Sequence, residues 1–151
     1  SVRARARMRH ADHAAIFVCI AGTYTPFALL ALHGAAGVVI LLAAWLGATA
    51  GVVRELVWPG APKWLAVAAY VVLGWLAIPV APPLVGALGW AVLPVLGGGL
   101  LYTAGALVYA KHRPDPVPAV FGYHEVFHAL VVGAAALMFA TIAFAVVPGA
   151  A

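Results

Sequence analysis

The sequence predicts an all-α integral membrane protein, a polytopic bundle in which five helices cross a bilayer. Of its 151 residues, 66% are hydrophobic and only 8% are charged, whereas soluble domains have roughly 25% charged residues. The mean hydropathy is +1.10, and the runs from Ala35 to Val53 and from Leu65 to Val80 contain no charged residue. A soluble helix keeps one polar face, so these runs indicate that lipid surrounds the helices.

Five hydrophobic segments are each long enough to span a hydrocarbon core, which takes roughly 20 apolar residues. They are Ala11 to Leu32, Ala35 to Val53, Lys63 to Val80, Leu84 to Ala110 and Val120 to Val147. Residues that break helices separate these segments. They are His33-Gly34, the stretch from Trp58 to Pro62 that includes Pro59, Pro82-Pro83, and the stretch from Arg113 to Pro118. Because the connections are short, we expect neighbouring helices to be antiparallel and to form one transmembrane domain over residues 1–151.

Prolines and glycines within the segments predict how the helices bend and pack. Pro26, Pro79 and Pro94 lie within or near apolar runs. A kink is tolerated there, because neighbouring helices can satisfy the carbonyl that a proline leaves unbonded. Gly47 and Gly51 form a small-xxx-small pair, which allows two helix backbones to approach closely in lipid. We therefore expect these two glycines to serve helix packing.

All the Lys and Arg residues occur at three places in the chain. Arg3, Arg5, Arg7 and Arg9 precede the first segment, Arg54 and Lys63 follow the second, and Lys111 and Arg113 follow the fourth. With five crossings, these places fall on one side of the membrane, and the positive-inside rule makes that side cytoplasmic. We therefore predict a multi-pass protein of the plasma (inner) membrane with a cytoplasmic N-terminus and a C-terminus outside.

The formal net charge of +4 does not indicate a nucleic-acid partner. The basic residues lie between hydrophobic segments and are not interleaved with aromatic residues along one stripe, so membrane lipids are the predicted partners. The chain begins with Ser1 rather than an initiator methionine, and we expect it to begin within a longer protein. Cys19 is the single cysteine, and its apolar neighbours predict that it is buried as a small hydrophobic residue.

Ionisable residues at the start of the first and fifth segments are the candidates for chemistry. Asp12, His124 and His128 enter the membrane from the same predicted side, so we expect them at similar depth. Two histidines at i and i+4 share a helix face and can bind one metal ion. Asp12 either stabilises the helix N-terminus or faces inward toward the metal. We favour the inward orientation, because Cys19 and Thr23 extend a partly polar face from it. The alternative for the histidines is a hydrogen bond between helices.

The residues from His124 to His128 also spell H-E-x-x-H, the zincin motif in which the glutamate is the general base of a metalloprotease. Such proteases need a further ligand downstream, and no His, Asp, Glu or Cys follows His128. We therefore interpret Glu125 as a polar neighbour of the site or as a partner for a basic group.

The other histidines are weaker candidates for metal binding. His10 and His112 stand among basic residues and are predicted to be solvated, while His33 is predicted to lie in a turn at the opposite side. His13 follows Asp12 but points about a quarter-turn away from it. We expect His13 to pack beside the site or to support a ligand rather than to bind the metal.

Several of these motifs resemble hemolysin III proteins, the family of the progestin and adipoQ receptors. The stretches from Ala11 to Ile16 and from Ile20 to Phe27 resemble the start of the family's third helix. The block from Gly97 to Gly105 and the later pair His124 and His128 resemble its sixth and seventh helices. The resemblance implies a seven-helix bundle, related to adiponectin receptors and more distantly to alkaline ceramidases, of which the five segments are helices three to seven.

The resemblance also implies a zinc site. In the family, three histidines hold zinc, one on the second helix and two on the seventh, and an aspartate on the third helix holds a zinc-bound water. His124 and His128 match the last two ligands, and Asp12 matches the aspartate. The first histidine, in a Ser-x-x-x-His motif, would precede Ser1. The chain would thus supply two of the three protein ligands that a catalytic zinc normally keeps.

The leading hypothesis for function is a zinc-dependent hydrolase-like membrane protein that acts on a lipid amide or ester, with Asp12 as its catalytic residue. One alternative is a non-enzymatic membrane sensor or receptor with a structural zinc ion. Another is a pore-forming hemolysin, although the sequence contains no segment that resembles the amphipathic insertion segment of a toxin.

Overall fold

Helices account for almost all of the chain in a computed structural model, which describes residues 2–58, 60–117 and 120–149. The main helices are α1 (Val2–Pro26), α2 (Ala35–Val57), α3 (Lys63–Gly74), α4 (Ala81–Leu88), α5 (Val92–Lys111) and α6 (Tyr123–Thr141). No β-strand occurs in these described ranges, so the all-α prediction is confirmed. Ser1, Pro59 and Pro118, which the sequence analysis named, lie outside them.

Four helical stretches of the described chain are long and apolar enough to cross a membrane, and this confirms a multi-pass membrane protein. They are His10–Ala31, Ala35–Val57, Trp64–Lys111 and Tyr123–Gly149. The count differs from the predicted five because the third and fourth segments form one stretch of 48 residues. This stretch folds back on itself. Tyr70 and Ala106 line the same small cavity, although a straight helix would hold them about 54 Å apart.

Irregular turns produce this reversal and divide the predicted segments. α3 ends at Gly74 after 12 residues, and Pro79 lies in a 3₁₀ turn, Ile78–Val80. Gly89 then ends α4 with a φ of 54°, a left-handed conformation that glycine adopts without a Cβ clash. Pro94 does not interrupt a helix, because it lies in the first turn of α5, where no helical hydrogen bond is lost.

The ends of α1 differ most from the prediction. The helix begins at Val2 rather than at Ala11, because the preceding run of Arg and Ala is rich in strong helix formers. At its other end Pro26 has no N–H to donate. A π-helical turn, Phe27–Ala31, follows it, as is common where the regular hydrogen-bond ladder is interrupted.

Gly47 and Gly51 lie where α2 contacts its neighbours. A Cβ atom on Gly47 would come 2.5 Å from the side chain of Leu73 in α3, and one on Gly51 would come 2.4 Å from the ring of Phe17 in α1. Phe17 is completely buried. The prediction that this pair serves helix packing is therefore confirmed.

The apolar surface of the bundle faces outward, as expected for a protein surrounded by lipid. Phe139 and Phe144 on the last helical stretch are 71% and 82% exposed. Inside, two groups of buried side chains form the core, one around Phe17 and Phe127 and the other around Phe27. Contacts between helix ends then place the starts of α1 and α6 and the ends of α2 and α5 together, at what we call the basic end of the bundle.

Candidate metal centre

Two helices bring Asp12, His124 and His128 together at the basic end. Each of the three residues offers a ligand atom that lies within 4.8 Å of the others. The Nε2 atoms of His124 and His128 are 3.0 Å apart, and Asp12 Oδ2 lies 3.7 Å from His128 Nε2. The expectation that these residues converge is confirmed, and Asp12 faces α6. Their roles as catalyst and ligands stay predictions.

This donor set fits a zinc ion. Zinc is bound by imidazole nitrogens at 2.0–2.1 Å and by carboxylate oxygens at 2.0–2.2 Å in tetrahedral sites. Two ligands of one tetrahedral ion lie about 3.3 Å from each other, so the two imidazoles need to separate only slightly to hold it. The side chains of His128 and Asp12 are 39% and 35% exposed, which leaves room beside them for further ligands.

The start of α6 fixes the direction of its two histidines. Glu125 Oε2 accepts a hydrogen bond of 2.9 Å from the backbone N–H of Gly122, as a carboxylate three residues after a helix cap does. Asp115 Oδ1 accepts another, of 2.9 Å, from the N–H of Tyr123. These carboxylates satisfy N–H groups that have no partner within the helix.

The capping bond also bears on the protease alternative. In a zincin the glutamate must reach the metal-bound water, but Glu125 is occupied by the Gly122 N–H at the helix start. The pairing of Glu125 with the backbone rather than with a basic side chain is a role that the sequence alone did not identify. It favours a structural function for this residue.

A second polar cluster lies at the same end of the bundle and was missed from the sequence. Glu55, in the last turn of α2, is only 5% exposed. Its Oε1 accepts from His10 Nδ1 at 2.8 Å and from His13 Nδ1 at 3.3 Å. Its Oε2 accepts from Arg54 at 2.7 Å. An isolated carboxylate at the end of an apolar helix looks solvated in the sequence. The sequence does contain one signal for this cluster, because His10 and His13 stand three positions apart and are predicted on the same side of the membrane as Glu55.

Two expectations about individual residues need correction. His10 is not solvated, because Glu55 binds it. Cys19 is exposed rather than buried. The adjacent Val18 is exposed as well, so this part of α1 faces outward. Thr23 does face inward, where it lines an apolar cavity. His112 is exposed as predicted and lies against Tyr123.

Two cavities lie inside the bundle. The larger, about 180 Å³, is lined by apolar side chains of α1, α4 and α5 and by Trp75. The smaller, about 20 Å³, is lined partly by Ile16 and Phe127, which lie one turn from Asp12 and beside His128 respectively. Trp75 and Tyr102 line both cavities. The two cavities therefore adjoin each other, and the smaller one approaches the metal-binding group at Phe127.

Comparison with known proteins places the chain among membrane proteins of one family. Residues 1–139 match the family described as Haemolysin-III related. The chain is 37% identical over 134 residues to the hemolysin-3 homolog of Bacillus subtilis (strain 168). This alignment covers 88% of the chain and 60% of that protein. The chain is 34% identical over 140 residues to hemolysin-3 of Bacillus cereus, covering 92% and 61%.

The chain therefore spans about 60% of the length of these relatives. No solved structure matches it. The family match extends from the start of α1 to within α6 and includes Asp12, His124 and His128. Together with the apolar helices, this match shows that the chain belongs to the Haemolysin-III related family of membrane proteins.

Proposed function

We propose that Asp12, His124 and His128 form part of a zinc-dependent hydrolase site that acts on a lipid amide or ester within the bilayer. The observation that supports it is the convergence of these three donors from helices more than 100 positions apart in sequence, within 4.8 Å of one another. Ionisable residues inside a membrane protein are costly and usually have a function.

The three side chains have distinct tasks in this proposal. His124 and His128 would hold the ion, and the resemblance implies that one further histidine completes the family's ligand set. When bound, zinc supplies Lewis acidity, which polarises a substrate carbonyl and lowers the pKa of water toward roughly 7. The Asp12 carboxylate orients the attacking water and accepts its proton at Oδ2, as a general base within hydrogen-bond reach does.

The cavities support a lipid as the substrate class. An apolar space of about 180 Å³ with a smaller one beside it accommodates hydrocarbon rather than a polar chain. The smaller space approaches the metal-binding group at Ile16 and Phe127, so the polar part of a lipid held there would lie beside that group. An amide or ester bond at that point contains the carbonyl on which such a site acts.

Hydrolysis of fluorescent lipid amides and esters by the purified full-length parent protein tests this function. We expect turnover with zinc and none after chelation. Asp12→Asn should retain zinc and lose turnover, because the amide cannot accept the proton. Glu125→Gln should retain both zinc and turnover. Turnover that survives in Asp12→Asn, or that disappears in Glu125→Gln while zinc is kept, would contradict the assigned roles.

A structural zinc in a membrane sensor is the second candidate. The site joins α1 to α6, so a bound ion would couple the packing of these two helices. This function predicts zinc-dependent stability without hydrolysis of any lipid tested.

Pore formation is a third candidate, suggested by the name hemolysin-3 of one relative. Leakage of dye from liposomes that contain the purified protein would support it. Intact liposomes at the same protein density would exclude it.

A further inference from the structure

Glu55 is a buried carboxylate that the proposed hydrolase mechanism does not use. It is 5% exposed and lies in the last turn of α2, where Arg54 donates to one of its oxygens and His10 and His13 to the other. Burial of an ionised carboxylate costs free energy unless the group is paired and hydrogen-bonded. A carboxylate at the end of a helix is ordinarily exposed to water.

His13 connects this carboxylate to the rest of the bundle. Its Nδ1 contacts Glu55 of α2 at 3.3 Å, and its Nε2 lies 3.2 Å from the hydroxyl of Tyr109 in α5. The tautomer with a proton on Nδ1 satisfies both bonds, because Glu55 then accepts and Tyr109 donates. Tyr70 of α3 donates to the backbone carbonyl of His13 at 3.3 Å. Three helices therefore hold this one residue.

His13 is the residue next to Asp12 in the chain. Its hydrogen bond to Tyr109 also connects it to the part of the metal-binding group that contains His124. The ring of Tyr109 lies 6.2 Å, centroid to centroid, from that of His124. Because His13 fixes the rotation and height of α1 at this point, it also fixes where the Asp12 carboxylate faces His128. Neither Glu55 nor His13 belongs to the group formed by Asp12, His124 and His128.

We propose that Glu55 is a positioning residue for the metal centre, acting through His13 and Tyr109 to keep Asp12 beside His128 and to support the ring of the ligand His124. The inference rests on the proposed zinc function. Partners of metal ligands beyond the first contacts commonly change metal affinity by 10–100-fold when they are removed. A merely structural link between α1 and α2 would change the stability of the bundle and leave the ion's surroundings unaltered.

Metal affinity and the absorption spectrum of bound Co²⁺ in the full-length parent protein test this proposal. We expect Glu55→Ala to weaken zinc binding and to shift the cobalt bands, by less than the roughly 10–100-fold that removal of a partner bonded directly to a ligand causes. Glu55→Gln should have a smaller effect, because its amide oxygen can still accept from His13. Tyr109→Phe, which removes only the hydroxyl at His13 Nε2, should weaken binding in the same direction.

Gly37→Ala is the matched control on the same helix. Its added methyl collides with the backbone carbonyl oxygens of Ala28 and Leu32, so it should lower thermal stability while zinc affinity and the cobalt spectrum stay unchanged. If Glu55→Ala lowered thermal stability but left zinc affinity and the cobalt spectrum unchanged, as expected of this control, the proposal would be overturned. If Glu55→Ala does not fold, unchanged affinity and spectra in both Glu55→Gln and Tyr109→Phe would do the same.

The wild-type protein separates this inference from the proposed function. Failure of the wild type to bind zinc or cobalt would contradict the metal site itself and overturn both. If the wild type bound the metal and the Glu55 and Tyr109 variants bound it with the same affinity and cobalt spectrum, only the positioning role of Glu55 would be contradicted.

Discussion

His124 and His128 show how far a single residue spacing can be interpreted. Four positions on a helix always bring two side chains to one face, so their proximity followed from the sequence. Asp12 required a further step, namely that both helices begin on the same side of the membrane. The 3.7 Å between Asp12 and His128 agrees with that step.

Glu55 and His10 could not be identified in the same way. Their hydrogen bond joins residues 45 positions apart, and no local pattern specifies which helix end faces which. Burial of Glu55 depends on how α1 and α2 pack around Gly51, which is a property of the whole interface. Residues that interact only through the tertiary fold are the ones that the sequence analysis missed or misplaced.

The first residue-scale prediction concerns the zinc ligands. Replacement of either His124 or His128 by alanine in the full-length parent should abolish stoichiometric zinc, because each imidazole donates to the ion. Glu125→Gln should leave zinc bound, because that side chain faces the Gly122 backbone. Metal analysis of the purified variants measures both effects. Zinc that remains after removal of both histidines would refute the site.

A second prediction at this scale concerns Asp115. Asp115→Ala removes the acceptor of the Tyr123 N–H at the start of α6, so it should lower the free energy of unfolding by about 1 kcal/mol. Zinc content should be unchanged, because the histidines keep their helix. Thermal unfolding in detergent with metal analysis of the same sample provides the measurement. Loss of zinc at unchanged stability would contradict the capping role.

At the scale of the elements, hydrophobicity predicted where the helices lie better than it predicted where they begin and end. Runs of apolar residues predict that a segment lies in lipid, but they do not distinguish a straight helix from one broken by turns. Gly89 and Pro79 divide the middle of the chain in ways that depend on backbone conformation. Arg-rich residues before Ala11 continue α1 because helix propensity does not require apolar side chains.

Gly51 offers a test of packing between α1 and α2. Gly51→Ala places a methyl 2.4 Å from the buried Phe17 ring and should lower the free energy of unfolding by about 1–3 kcal/mol. Gly22→Ala in α1 is the control, because nothing lies within 4 Å of its added Cβ. It should stabilise the helix by about 0.5–1 kcal/mol. Equal stability of the two variants in an unfolding titration would argue against this close approach.

At the scale of the whole molecule, polar and aromatic groups divide between two ends. Arg54, Lys111 and Arg113 lie at the end that also contains the metal-binding group, and exposed Trp58 and Trp64 lie near them. Trp90, 87% exposed, lies in the turn before α5 at the other end. Tryptophan is enriched at both membrane interfaces. The structure is thus consistent with two membrane interfaces, one at each end of the bundle.

The positive-inside rule supplies the orientation of the two ends as a prediction, since all basic residues fall on one predicted side of the five segments. Single cysteines introduced in a Cys19→Ser background allow a direct measurement with a thiol reagent that cannot cross the membrane. Gly60→Cys and Arg113→Cys should resist labelling from outside intact cells and react after permeabilisation. His33→Cys, in an exposed turn at the opposite end, should react without permeabilisation. Strong outside labelling at both Gly60 and Arg113 would reverse the topology and move the metal centre to the outer face of the membrane.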